Sequence, residues 1–289
     1  MVAFPNFAHG PLTEGSTLNL LVAAVVVIVS VGMSVGAMLF VRRIAPEGVY
    51  VMDADRSATV FGFLATALSI LLAFVIFLAL ETYTGAKSDS LEEADSVLEQ
   101  FEIAGLFLPA DRANLQGQLM CYARGVINDE WPAMRKGGRS PVVDGWIHTI
   151  ETTVDKVTVE TSKQETGISK FFDETLEREK GRRGRLLEAQ GVVPGPMWLM
   201  LFGGAGCLLG YILLLASTRE RAFVQCVQIG GATAFIVISF LLVNFLDHPF
   251  RDGSGSLKPT SMQFALQEMT HDGGSALTLP CDVNGKPKA

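Results

Sequence analysis

The chain has 289 residues, of which 49% are hydrophobic and only 18% charged, with a mean hydropathy of +0.34. Soluble domains run near a quarter charged, so this is the composition of a membrane protein. A formal charge of -7 argues against a nucleic-acid partner, whose contact surface is basic, and unpatterned glycine with four cysteines excludes collagen-like and disulfide-scaffold chains.

Residues 18–41, 58–80, 197–216 and 227–246 contain no Asp, Glu, Lys or Arg, and each run is long enough as a helix to cross a hydrocarbon core of roughly 30 Å. The expectation is an all-α, four-span transmembrane bundle with a helical, coiled-coil-like extramembrane domain between the second and third spans. In chain order this gives an N-terminal tail (1–17), a first transmembrane hairpin (18–80), the helical domain (81–196), a second hairpin (197–246) and a C-terminal tail (247–289). The first run is too long for a cleaved signal peptide and nothing basic precedes it, so it reads as a retained anchor. Arg42, Arg43, Arg56, Arg219 and Arg221 fall in the two short loops. Basic residues are retained in the cytoplasm, which places those loops inside a cell (inner) membrane and the helical domain with both tails outside. Cys121 and Cys281 then share a side, as a disulfide in an oxidising compartment or as two free thiols.

The second span meets no breaker until Pro109, and Leu91, Ala94, Leu98, Phe101, Gly105 and Leu108 recur at three- and four-residue steps, so the helix is expected to continue past the membrane. Leu115, Leu119, Ala123, Val126 and Ile127 predict a second helix that stops near Trp131 and Pro132, where proline removes an amide donor. Lys136 to Arg139 reads as a turn. After Pro141, Val143, Ile147, Ile150, Val154, Val157, Thr161, Gln164, Ile168 and Phe171 hold a heptad spacing, a coiled-coil-like seam weakened midway by Thr161 and Gln164. β-Branched residues between Thr149 and Thr161 leave a strand as the alternative there. Glu174 to Arg185 reads as a solvated, mixed-charge helix face. The C-terminal tail predicts one short helix over 259–269 and then a loose end.

The interiors of the spans lack the ionisable groups that proton-coupled carriers and intramembrane hydrolases need. With no phosphate-binding loop, paired metal-ligating His or closely spaced Cys pair, the reading is not an enzyme and requires no cofactor or metal. The spans do carry Gly32, Gly36, Gly206 and Gly210, spaced for close helix packing within the bundle or between copies. One face of the second span reads Thr59, Gly62, Thr66, Ser69, Ala73, Ile76 and Leu80. As a pore wall it is a wettable vestibule narrowing to an apolar constriction at Ile76 and Leu80; as a packing face it looks the same. Glu81, Asp247 and His248 gather at one membrane face as capping or snorkelling groups, and are the only acid-base set a lipid-directed enzyme could use.

Leu71-Leu72-Ala73-Phe74, Glu93-Ala94, Tyr122, Asp129-Glu130-Trp131, Pro196, Trp198 and Asp247-His248-Pro249-Phe250 together resemble the bestrophin-like family of bacterial membrane proteins over most of residues 50–270. The resemblance implies kinship with bestrophins, pentameric anion channels whose second membrane helix lines a hydrophobic neck, and it makes Ile76 and Leu80 neck candidates. Two features depart from bestrophins: no acidic cluster matches a calcium clasp, and the arginine-rich short loops place the helical domain outside the cytosol. The sequence therefore points to an oligomeric, passively conducting anion channel whose partners are the bilayer and further copies of itself. The rival is a non-conducting scaffold or sensor that binds a protein through its helical domain.

Overall fold

The computed structural model describes residues 14–44, 54–216, 221–251, 253, 255–273 and 277–288. The protein is all-helical over them, with α1 (Glu14–Ile44), α2 (Ala54–Ala104), α3 (Pro109–Gly125), α4 (Trp131–Met134), α5 (Pro141–Val154), α6 (Ser162–Glu188), α7 (Gly195–Leu214), α8 (Ala222–Leu246) and α9 (Thr260–His271). Four of these, α1, α2, α7 and α8, are long and apolar enough to cross a membrane. Residues 1–13 of the expected N-terminal tail, and Arg219 of the second short loop, lie outside the described residues.

The chain forms two compact units. The first comprises α1, α2 as far as Leu78, α7 and α8. Its buried side chains are few: Leu68, Ala205, Leu208 and Ile236 make one cluster, and Met38, Ala216 and Ile229 another. Hydrocarbon solvates leucine and phenylalanine as well as a protein core does, so Phe63, Leu199, Phe223 and Phe235 can stay exposed while close packing and hydrogen bonds hold the helices. Arg42 Nη1 donates to Gln225 Oε1 at 3.0 Å and Thr233 Oγ1 to Ser34 Oγ at 2.9 Å. The glycines that admit a neighbour are Gly204, where a Cβ would meet Leu68 Cδ1 at 3.1 Å, and Gly230, against Val31 at 3.4 Å. At Gly32, Gly36, Gly206 and Gly210 a Cβ would meet nothing within 4 Å, so among the described residues of one copy the Cβ direction of each is open space.

The second unit comprises α2 from Ala79, α3 to α6, α9 and the C-terminal segment, around a continuous core that includes Phe101, Leu119, Tyr122, Trp131, Val143, Ile150 and Phe171. α2 runs unbroken to Ala104, but its inward line is Ala86, Ala94, Val97, Phe101 and Ala104; Leu91 is exposed, so the expected stripe is right at Ala94 and Phe101 and out of phase at Leu91. The helical run ends at Met134, two residues past Pro132, close to the expected stop but reached by a different route. α3 passes into a π-helical turn, Val126–Glu130, and α4 then begins with proline in its first turn, where a missing amide hydrogen costs nothing. The extra residue of a π-turn rotates the next stretch of helix about its axis, and here both Glu130 and Trp131 are buried.

The heptad seam is two helices rather than one coiled coil. α5 ends at Val154 and α6 begins at Ser162, and Thr161 and Gln164 form a capping box: the Thr161 side chain accepts from the Gln164 backbone N–H while the Gln164 side chain accepts from the Thr161 N–H. Polar residues that look like weak seam positions are therefore the helix start itself, satisfying amides that have no partner within the helix. No strand forms between Thr149 and Thr161. Ser140 caps α5 without that reciprocal bond, its side chain accepting from the Val142 and Val143 backbone N–H groups.

The end of the chain is not loose over 277–288. Cys281 is joined to Cys121 by a disulfide with a Cα–Cα distance of 5.8 Å, Trp146 Nε1 donates to Gly285 O at 2.6 Å, and Arg124 Nη1 donates to Asp282 O at 3.2 Å. Gly285 has φ +83° and lies directly on the backbone of Gly125, where a Cβ would collide. Only glycine meets both demands.

Candidate functional site

On α2, successive residues turn by about 100°, and this separates three lines. Ser57, Leu68, Leu72, Val75 and Ala79 are buried. Phe63, Ile70, Phe74 and Phe77 form an exposed, bulky line. Gly62, Thr66, Ser69 and Ala73 form a second exposed line, small and partly hydroxylated, with Thr59 at its edge beside the phenylalanines; it continues to half-buried Ile76 and, one turn further along the helix, to Leu80. Thr66 Oγ1 donates back to the Gly62 carbonyl at 2.8 Å, the back-bond open to a helical threonine.

The second unit holds a charged core where the sequence predicts a solvated face. α6 carries Arg178, Arg182 and Arg185 one and two turns apart, with relative exposures of 0%, 9% and 0%. Arg185 Nε donates to Glu93 Oε2 at 2.6 Å and its Nη2 to Glu93 Oε1 at 2.9 Å and Glu130 Oε2 at 2.7 Å. Arg182 Nη2 bridges Glu130 Oε1 at 2.5 Å and Asp144 Oδ1 at 2.7 Å. Tyr122 donates its hydroxyl to Glu93 Oε1 at 2.6 Å, while Arg178 lies over the Tyr122 ring at 5.3 Å and donates to Gln100 Oε1 at 3.0 Å. The network ties α2, α3, the π-turn, α5 and α6 together. Glycine lets the backbones approach: at Gly181 a Cβ would lie 2.8 Å from Asp89 O.

Burial alone would make ionisation of Glu130 harder, but the Arg185 and Arg182 guanidiniums outweigh it and hold the carboxyl below its ordinary value. Burial raises the Tyr122 hydroxyl well above its ordinary range, with the Glu93 charge adding to the effect, so Tyr122 stays a neutral donor. Burial opposes the charge on Arg185, yet Glu93 and Glu130 keep it more firmly protonated than usual. These groups compensate one another and leave no reactive acid-base pair.

Several of the family-like motif residues meet here. Glu93, Tyr122, Glu130 and Trp131 are network or core residues, and Trp131 packs edge-on against Phe250 at 5.3 Å while its Nε1 donates to Leu257 O at 3.1 Å. Asp247 is buried and accepts the Val192 N–H at 2.7 Å; His248 Nδ1 lies 3.7 Å from Asp247 Oδ2; Glu81 is exposed on α2. Asp247 thus closes the turn into α7. Val143, Ile150, Val154 and Phe171 of the seam are buried, so their apolar surface is committed to the core. Among the described residues no group of three or more His, Cys, Asp or Glu could hold a metal ion. The signal for the network is the i, i+4, i+7 spacing of Arg178, Arg182 and Arg185, which puts three cations on one helix face.

Four apolar spanning helices and a charge-stapled helical unit define a polytopic, all-helical membrane protein. Its residues 28–262 match the Bestrophin-like domain, and the chain belongs to the bestrophin-like family. A crystal structure of a mutated bacterial bestrophin homologue from Klebsiella pneumoniae superposes with a TM-score of 0.66 at 12% identity, covering 85% of this chain and 98% of that one. Another structure of a Klebsiella pneumoniae bestrophin homologue gives 0.65 at 11% identity over 90% and 99%. At such identities the likeness is one of fold. No curated protein sequence matches the chain.

Proposed function

We propose that the protein is a channel of the cell inner membrane, built from several copies of the chain around an axis lined by α2, and that it lets anions pass passively. The observation that carries this reading is the uncovered small-residue line of α2 beside a line of exposed phenylalanines. A lipid-facing surface has no need of Thr59, Thr66 and Ser69, whereas a water-facing or helix-facing one does. Along that line Ile76 and Leu80 replace the hydroxyls with bulk, the arrangement of a constriction that closes by dewetting. Ionisable groups are missing from the apolar runs, which fits conduction without a proton relay. The choice of anions follows the family's kinship with bestrophins.

The disulfide and the arginines support one orientation. Arg42 and Arg43 end α1 and Arg221 precedes α8, which favours cytoplasmic short loops, and Cys121–Cys281 favours an oxidising compartment for the second unit. The scaffold reading is the weaker one, because the seam it relies on is buried. Chloride flux from liposomes tests the proposal: Ile76→Ala with Leu80→Ala should raise it several-fold, and unchanged flux overturns the assignment. Single-particle images should show a closed ring with α2 at its axis; a monomer, or a two-fold dimer with no axial path, would also overturn it.

A further inference from the structure

Glu188 is the last residue of α6, and its surroundings do not suit a carboxylate. It lies against α2 at Gly85, where a Cβ would collide with Glu188 Oε1, and its Oε2 is buried without a hydrogen-bond partner. One turn back on α6 the arrangement is mirrored: a Cβ on Gly184 would collide with the carboxylate of Asp89 on α2. Each helix therefore offers a glycine to the other's acid, and two carboxyls end up side by side in one seam.

Two of the cations of α6 are engaged elsewhere. Arg185 is bonded to Glu93 and Glu130, and Lys180 to Glu92 and Glu177. Three residues beyond Glu188, Gly191 rests on Asp247 and His248. Glu188 also sits at the negative end of the α6 dipole, where an anion is disfavoured.

We propose that the Glu188 carboxyl is a proton-operated latch of the α2–α6 seam, lying on the Gly85 backbone when neutral and loosening the end of α6 from α2 when ionised. Burial, reinforced by the charge of Asp89, pushes this group up to about 7, so the latch works near neutrality. The seam itself does not depend on conduction; only its consequence rests on the channel reading, under which α2 is the helix that lines the axis.

A carboxyl raised in the folded state keeps its proton where the unfolded chain has lost it, so stability falls as pH rises from the ordinary value of 4.5 to about 7 and levels off above that. The test is the melting midpoint of the detergent-purified, full-length protein from about pH 5 to about pH 8.5, with liposome flux measured in parallel. The wild type should melt progressively lower across the interval, and Glu188→Gln should flatten the profile and melt higher than wild type at the alkaline end. Superimposable profiles overturn the latch. Should Glu188→Gln fail to fold, Asp89→Asn decides: loss of the like charge should move the wild-type inflection to lower pH, and an unmoved inflection overturns the proposal. Absence of flux at every pH in all three proteins would count against the channel, while the melting profiles still decide the latch.

Discussion

The two units solve the same packing problem by opposite means. In the membrane unit the helices expose their largest side chains and meet through small ones, as at Gly204 against Leu68 and Gly230 against Val31, because the solvent is itself hydrocarbon. In the second unit the largest buried side chains include Arg178 and Arg185, and the helices meet through ion pairs surrounded by aromatic rings. Arg182 and Arg185 are held there by the carboxylates of Glu93, Glu130 and Asp144, and Arg178, whose Nε and Nη2 have no hydrogen-bond partner among the described residues, rests on Gln100 and the Tyr122 ring. Breaking a buried pair leaves an uncompensated charge, so this unit holds its arrangement tightly, whereas the membrane unit leaves the small-residue line of α2 exposed. The difference teaches where to look for function: the motif residues Glu93, Tyr122, Glu130 and Trp131 secure the second unit, while the exposed line proposed to face water or other copies is made of plain threonine, serine, alanine and leucine.

The strongest way to break this comparison is to remove one side of the ion network. Glu130→Ala leaves Arg182 and Arg185 buried without their shared acceptor and should cost about 3–5 kcal/mol, seen as loss of a monodisperse peak and a much lower melting point. Glu130 titrates below the ordinary 4.5 in the folded protein. Its contribution is complete above that value and is lost as pH falls through the lowered one, so the difference between wild type and Glu130→Ala should narrow in acid. A loss under about 1 kcal/mol, the range of a surface ion pair, would show that the network does not hold the unit.

Next in size is the staple. Cys121 and Cys281 are 160 residues apart, and opening a long loop typically costs about 2–4 kcal/mol. Cys281→Ser should lower the unfolding free energy by that amount and leave Cys121 as a new thiol once the 277–288 segment lifts from α3 and α5. Maleimide labelling of the unreduced proteins checks the step, and modification of wild-type Cys121 under the same conditions would contradict the bond.

The smallest effect separates two kinds of glycine. Gly204→Leu should overpack the Leu68 contact and cost about 1–3 kcal/mol, while Gly206→Leu enters open space within the protomer and should leave its stability within about 0.5 kcal/mol. A changed oligomer size on mass photometry in the Gly206 variant alone would place that glycine between copies; equal destabilisation by both would make it an ordinary bundle contact.

Hydrophobic length and the absence of charge over 18–41, 58–80, 197–216 and 227–246 were enough to determine four spanning helices and a membrane protein, because a helix in lipid must satisfy its own backbone and leave only apolar side chains outside. The small-residue line of α2 was also legible, since one helical period defines it without reference to any neighbour. Tertiary structure decided the rest. The π-turn Val126–Glu130 put Glu130 in the core ahead of Pro132; Thr161 and Gln164 became a helix cap once the seam divided; and a face of α6 expected to be solvated became core because Glu93 and Glu130, distant in the chain, arrived opposite Arg182 and Arg185, and Gln100 and the Tyr122 ring opposite Arg178. Periodicity reports which residues share a face, but whether that face meets water, lipid or a carboxylate depends on the partners that the rest of the chain brings to it.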